Sequence, residues 1–217
     1  MKFSFYTFLL FLGGVSSTVF ASEFYCKYCG DSFSNAYSTR TGYCMYSAAR
    51  KHTVIICKNK KFICERCGES FSYPGAVRTG TCLYSSNRKH VLSGGSEGRG
   101  GRATQYICRF CGEIFSNAST VRAGTCLYAP SGRKHRLAGE MYNGRKLYCA
   151  FCGESFSYPG SVRAGVCLYS NNRKHQISSC TSSGNLCCAF CGEKFSYPGS
   201  VRAGTCLYSK NKKHQLP

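Results

Sequence analysis

Residues 148–175 read YCAFCGESFSYPGSVRAGVCLYSNNRKH, and four near-copies of that phrase fill most of the rest of the chain. This copy carries Cys149, Cys152, Cys167 and His175. The equivalent sets are Cys26, Cys29, Cys44 and His52; Cys64, Cys67, Cys82 and His90; Cys108, Cys111, Cys126 and His135; and Cys188, Cys191, Cys206 and His214. In every copy two residues separate the first Cys pair and fourteen separate the second Cys from the third. Seven residues then precede the His, or eight in the third copy, where Gly132 lengthens the loop.

Three thiolates and one imidazole make a closed tetrahedral shell of the kind that structural zinc occupies. A C-x-x-C turn aims two sulfurs at one ion, and Gly follows it each time (Gly30, Gly68, Gly112, Gly153, Gly192). Lacking a Cβ, Gly takes the left-handed backbone such a turn needs. A unit of about 28 residues is below the roughly 40 at which an apolar core suffices alone. Structural zinc in small fingers contributes about 10–16 kcal/mol of apparent binding energy, which becomes folding energy. The cofactor expected is zinc, up to five ions per chain. Disulfides are the competing reading, because exported cysteine-rich chains oxidise. Three Cys per unit pair badly, however, and disulfides give no reason for a His at fixed spacing.

Repetition at 38 to 44 residues makes this an array of small units, whatever 217 residues would suggest for ordinary domains. Residues 1–21, MKFSFYTFLLFLGGVSSTVFA, have one Lys, an apolar run and small residues ending at Ala21, the parts of a secretory signal. The expected location is therefore secreted, periplasmic or otherwise extracytoplasmic, with no transmembrane segment in the mature chain. Units are placed at 24–54, 62–92, 106–137, 147–177 and 186–217, with a Gly/Ser-rich linker at 93–105. Varied linkers predict beads on a string over a stacked solenoid. The fold class expected is a small metal-stabilised α+β: five tandem zinc-finger-like units, each a β-hairpin zinc knuckle plus a short helical turn, joined by flexible linkers.

Within a unit, the stretch from the aromatic before the first Cys to the Phe four after the second predicts a β-hairpin. Tyr73-Pro74-Gly75 and its counterparts in units four and five predict a type II turn. The next residues have room for one helical turn before Gly stops it. Beyond each His an apolar residue recurs two places on (Val54, Leu92, Leu137, Ile177, Leu216), predicting a closing strand or a lid over the metal.

The first half of each unit resembles the two-Cys two-His zinc finger, as Cys188, Cys191, Phe195 and Val201 illustrate. That resemblance implies a hairpin packed on a helical turn around zinc. The later spacing is similar to tandem small zinc fingers of unassigned role in exported bacterial proteins. The third ligand departs from the two-Cys two-His pattern: it is a Cys, delayed two places, and a single His comes after a long loop. DNA-reading fingers need a helix of two to three turns in the major groove. Gly165 and its counterparts interrupt that helix, so sequence-specific DNA reading is not expected.

Lys and Arg total 29 against nine acids, a net charge of +20. Five filled sites, each trading three thiol protons for two metal charges, and loss of the leader lower it to about +14. A polyanion partner (nucleic acid, acidic glycan or membrane surface) fits that balance. The basic pairs Arg50-Lys51, Arg88-Lys89, Arg133-Lys134, Arg173-Lys174 and Lys212-Lys213, on polar loops, are its candidate contacts. A solvated loop is the plainer reading of the same pairs. An Arg four before each third Cys and an acid two after each second Cys predict an intra-unit ion pair, or a carboxylate orienting the His. The Tyr two after each third Cys is expected in a core. Cys57, Cys180 and Cys187 fall outside the pattern, and Cys180 with Cys187 is a candidate linker disulfide. With every His a ligand and every shell closed, no nucleophile–base pair remains, so neither catalysis nor a small-molecule substrate is expected. Two alternatives stay open beside polyanion binding: a structural cell-envelope or secreted interaction protein with disulfide-linked repeats, and a zinc buffer.

Overall fold

The computed structural model describes residues 24–57, 62–94, 105–130, 133–141, 146–178 and 186–217. Residues 1–23, on which the expected secretory signal falls, most of the Gly/Ser linker, Gly132 and Cys180 lie outside them. Each unit begins as the predicted hairpin. In unit one, β1 (Phe24–Cys26) pairs antiparallel with β2 (Ser32–Phe33), and β3 (Val54–Ile56) adds on the other side of β1. Unit two repeats this with β4 (Phe62–Cys64), β5 (Ser70–Phe71) and β6 (Leu92–Ser93), the first strand again central. Unit three does so with β7 (Gln105–Cys108), β8 (Ile114–Phe115) and β9 (Leu137–Met141). Unit four keeps the hairpin of β10 (Leu147–Tyr148) and β11 (Ser155–Phe156), and its closing strand shrinks to a bridge between Cys149 and Ile177. The expected closing strand is thus real. Its apolar residue, Val54, Leu92, Leu137, Ile177 or Leu216, is at most 1% exposed in every unit.

The helical turn is a 3₁₀ helix of five residues: Ala36–Arg40, Pro74–Arg78, Ala118–Arg122, Pro159–Arg163 and Pro198–Arg202. Asn35 and Asn117 cap the first and third with their side chains. In the other three Pro occupies the first turn, where its missing N–H costs nothing. This corrects the type II turn. Gly75, Gly160 and Gly199 are absent from the residues with positive φ, because Pro starts a helix here and does not hold the corner of a turn. Two residues past each helix Gly does take positive φ, from 72° at Gly165 to 84° at Gly42, and ends it as expected.

The beads-on-a-string arrangement is also corrected. Successive units pack head to tail, and the fifth packs on the first, so the five close into a ring. The residue after each first Cys donates its N–H to the carbonyl of the residue after its own His: Lys27 to Thr53, Glu65 to Val91, Arg109 to Arg136, Ala150 to Gln176, Ala189 to Gln215. Its own carbonyl accepts from the next unit's closing strand: Leu92 to Lys27, Leu137 to Glu65, Ile177 to Arg109, Leu216 to Ala150 and, completing the circle, Val54 to Ala189. These bonds span 2.7–2.9 Å and form one closed circuit about the hub. A head-to-tail interface closes into a ring when its rotation divides the circle, and five copies do so here.

Apolar packing runs along the same seams. Ala36, Val54 and Ile56 of unit one share a buried cluster with Leu186, Phe195, Val201 and Leu216 of unit five. Tyr25 and Ile55 of unit one pack with Phe62, Val77 and Leu92 of unit two. The closing strand therefore serves two units at once, which a freely hinged chain could not offer.

Candidate metal centres

The sequence brings all twenty predicted ligands together in five buried sets of four, with the donor atoms of each set within 4.8 Å of one another. The hairpin places the first pair. In unit one the Gly30 N–H bonds to Cys26 O at 2.9 Å and the Tyr28 N–H points at Cys26 Sγ at 3.5 Å. The third Cys comes after the 3₁₀ helix, in a loop closed by its N–H on the carbonyl two residues before the His, as Cys82 to Arg88 at 2.8 Å. The residue bearing that carbonyl (Arg50, Arg88, Arg133, Arg173 or Lys212) is left-handed in every unit, with φ between 46° and 59°.

The spacing of the donors decides between metal and disulfide. First and third sulfurs stand 3.8–4.0 Å apart in all five units. Second sulfur and His Nδ1 stand 3.5–3.6 Å apart. A tetrahedron with Zn–S of about 2.3 Å and Zn–N of about 2.0–2.1 Å has S···S edges of about 3.8 Å and S···N edges of about 3.55 Å. A disulfide needs about 2.05 Å. The five sites fit zinc.

Charge supports the same conclusion. The second Cys thiol donates to the first, drawing Cys26, Cys108 and Cys149 down to about 4 and Cys64 to about 5. Burial, and then the nearby first thiolate, push the third thiols Cys44, Cys82, Cys126 and Cys167 up. Three buried sulfurs therefore ionise together only when a cation offsets their repulsion, and Zn²⁺ would supply that charge.

The acid two residues after the second Cys orients the His. Nε2 of His90, His135, His175 and His214 lies 3.4–3.6 Å from a carboxylate oxygen of Glu69, Glu113, Glu154 and Glu193. Nδ1 is thereby left for the metal, the carboxylate–histidine–zinc arrangement. Unit one differs. Asp31 is one methylene shorter, accepts from Cys29 Sγ at 3.1 Å, and pairs across the seam with Arg78 at 3.7 Å. The predicted Phe packs edge-on to each ligand imidazole at 5.2–5.6 Å, fixing the ring plane.

Among the described residues the Arg before the third Cys forms no ion pair within its own unit, although Arg78, Arg163 and Arg202 donate Nε to the carbonyls of Gly75, Gly160 and Gly199 in their own helices at 3.3 Å. Arg40 and Arg122 donate Nε to the carbonyls of Cys191 and Cys67 in the preceding unit, both at 2.6 Å. Its guanidinium also covers the preceding unit's Tyr: Arg78 on Tyr46, Arg122 on Tyr84, Arg163 on Tyr128, Arg202 on Tyr169, Arg40 on Tyr208. Lys51, Lys89, Lys174 and Lys213 lie over the same rings. The expectation of a core Tyr is corrected: the ring lies at a seam, under two cations in four units and, among the described residues, under Arg122 alone at Tyr84. The fixed co-occurrence of Arg and Tyr in every copy was the available signal. Cys187 is buried, and burial pushes its thiol up to about 12, so it behaves as an inert apolar side chain. Cys57 is likewise buried, beside Tyr25 and Ile55.

All ten candidate basic-pair residues are exposed. No helix among the described residues is long and apolar enough to cross a membrane. Comparison with known protein families, characterised proteins and solved structures finds no match. What is established is a ring of five zinc-finger-like Cys₃His units.

Proposed function

We propose that this chain is an exported zinc-assembled ring that works as a binding module for polyanions and performs no catalysis. One observation carries the reading: the five basic pairs stand exposed at equivalent places around a closed ring, on a chain of net charge +20. The left-handed residue in each pair is Arg or Lys, where Gly or Asn would fit more easily. A cationic side chain is thus kept five times at a conformational cost. Five weak contacts on one rigid scaffold bind a repeating anion by avidity, without a deep pocket at any one of them. The apolar run of residues 1–21 supports export, and five spent histidines support binding over catalysis.

Retention of the zinc-loaded mature chain on immobilised heparin, measured against salt, tests this. Affinity should fall steeply as salt rises, because each neutralised anion releases a counterion. Replacing Arg50, Arg88, Arg133 and Arg173 together by Gln should flatten that dependence and leave zinc content at five. Elution of the parent with an uncharged protein of equal size would overturn the reading.

A further inference from the structure

Near-identical units make their differences conspicuous, and the differences gather at the hub. The ten-bond circuit alternates between the residue after each first Cys and the residues after each His. In units four and five its side chains are neutral: Ala150, Gln176, Ala189 and Gln215. In the first three they include Lys27, Glu65, Arg109 and Arg136, with Arg66 beside Glu65. Four cations therefore face one acid. Lys27 Nζ pairs with Glu65 Oε2 at 2.7 Å, both side chains largely out of water. Arg66 Nε is 4.0 Å from Glu65 Oε1, beyond hydrogen-bond reach. Among the described residues, the Nε atoms of Arg66 and Arg109 are buried without a hydrogen-bond acceptor, and Glu65 Oε2 is buried with its ion pair to Lys27 but no well-aligned hydrogen bond. Leaving guanidinium donors buried and unmet is costly, so this cluster is incomplete as a purely internal ion network.

The cluster also has an opening. Arg66 and Arg136 line a groove of about 520 Å³ between units two and three, together with Lys134, Tyr84, Ser85, Ser86, the apolar Leu83 and the edge of the ligand His135, and no carboxylate lines it. Its walls combine two forked guanidinium groups, an ammonium and three hydroxyls. Such donors, arriving from several directions, suit an acceptor with oxygens on several sides. The equivalent positions at the other four seams, Tyr28 and Val91, Phe110 and Gln176, Phe151 and Gln215, and Phe190 and Thr53, carry no charge, so the feature occurs once per ring.

We propose that this groove binds one tetrahedral oxyanion, a phosphate or sulfate group, held between Arg66 and Arg136 with Lys134 at the rim. The site is single and partly buried, whereas the basic pairs are fivefold and exposed. It shares Lys134 with the third basic pair but rests on Arg66 and Arg136, which belong to none, so loss at those two arginines separates it from the polyanion reading.

Titration calorimetry on the zinc-loaded mature chain at low salt tests it, with inorganic phosphate, inorganic sulfate and glycerol phosphate as probes. One ion per chain is expected, and the tighter of inorganic phosphate and its ester tells a free ion from an esterified group. Arg66→Gln with Arg136→Gln should weaken binding at least tenfold. Lys194→Gln with Lys210→Gln makes the same change in charge outside both the groove and the basic pairs and should leave binding within twofold. A parent chain that binds none of the probes, several equivalent ions per chain, or an equal loss in both double variants overturns the proposal. Zinc content is measured on every variant. If the arginine pair is needed for folding, Arg136→Lys is read in its place, with a severalfold loss expected because Lys keeps the charge and loses the fork.

Discussion

Val54 donates its backbone N–H to the carbonyl of Ala189 at 2.7 Å, and that bond joins the first unit to the last. The same seam holds the Arg40–Cys191 bond and the Arg40–Tyr208 stack. Its cluster of Ala36, Val54, Leu186 and Leu216 is as well buried as the seams between sequence neighbours. Closure therefore rests on contacts of the ordinary kind, repeated once more between the two ends of the chain.

A closed ring is compact. A mature chain of this size packed as one body has a radius of gyration of about 16 Å, and independent beads on linkers would scatter well above that. Small-angle scattering on the zinc-loaded chain should give the compact value. Arg40→Ala should lower stability by about 1–3 kcal/mol, since it removes a charged hydrogen bond and a cation–π contact. Arg122→Ala, at the seam between units two and three, should cost about as much. A negligible cost for Arg40→Ala beside a full cost for Arg122→Ala would mean an open arc.

The five zinc sites should not hold metal equally. Four imidazoles are braced by a Glu, while Asp31 in unit one is one methylene shorter and pairs across the seam with Arg78. Removing such a carboxylate partner typically weakens a metal site about 10–100-fold. In stepwise competition with a chelator, the first ion released should come from Cys26, Cys29, Cys44 and His52. Glu154→Gln should bring unit four down to the same rank, read as a change in the order of release. Simultaneous loss of all five would show that ring cooperativity outweighs the local brace.

The metal shells were fully legible in the sequence because ligand identity and spacing are local: a C-x-x-C turn, a hairpin and one loop bring four donors together in any single copy. The closing strand was legible too, through Val54, Leu92 and their counterparts. The ring was not. Its contacts run between units, and within one copy Arg163, Tyr169 and Gly153 each have an adequate local explanation. Only their joint repetition marks an interface, with Arg163 meeting Tyr128 and Arg202 meeting Tyr169. The Pro-Gly pair misled for a related reason. Pro74 fits the start of a helix as well as the second place of a turn, and the conformation of Gly75 and Ala76 decides between them.

Gly112 meets two demands, only one of which the knuckle imposes. Its φ is +70°, and a Cβ there would stand 1.9 Å from the carbonyl oxygen of Pro159 in the next unit. The left-handed backbone alone costs an L-residue about 1–2 kcal/mol. The clash is with rigid backbone, so the seam between units three and four must part to relieve it. Gly112→Ala should therefore lose clearly more stability than Gly124→Ala, where φ is +75° and the nearest atom is His135 Nε2 at 3.6 Å. Thermal melts of the two variants at equal zinc content make the comparison. Equal losses would mean that the close approach at the seam is not maintained in solution.

Glu65 is the sole acid in a hub of four cations, and they set its ionisation. Burial pushes the carboxyl up, but Lys27, Arg109 and Arg136 outweigh it and hold it near about 2. The folded value lies below the ordinary one of about 4.3, so its contribution is complete above that and fades as pH falls toward 2. Between pH 5.5 and 7.5 Glu65 stays ionised, and Lys27, lowered to about 8 by burial, keeps most of its protonation while the carboxylate is beside it. Glu65→Gln should therefore carry a deficit of about 3–5 kcal/mol at pH 5.5, because it strands buried cations without their counter-charge, and that deficit should shrink toward pH 7.5 as Lys27, no longer held by the carboxylate, sheds its proton. Adding Lys27→Met removes the stranded partner as well and should recover a large part of the loss. A deficit that is the same at pH 5.5 and 7.5, or a double variant no better than the single one, would show that Lys27 is not the principal counter-ion of Glu65.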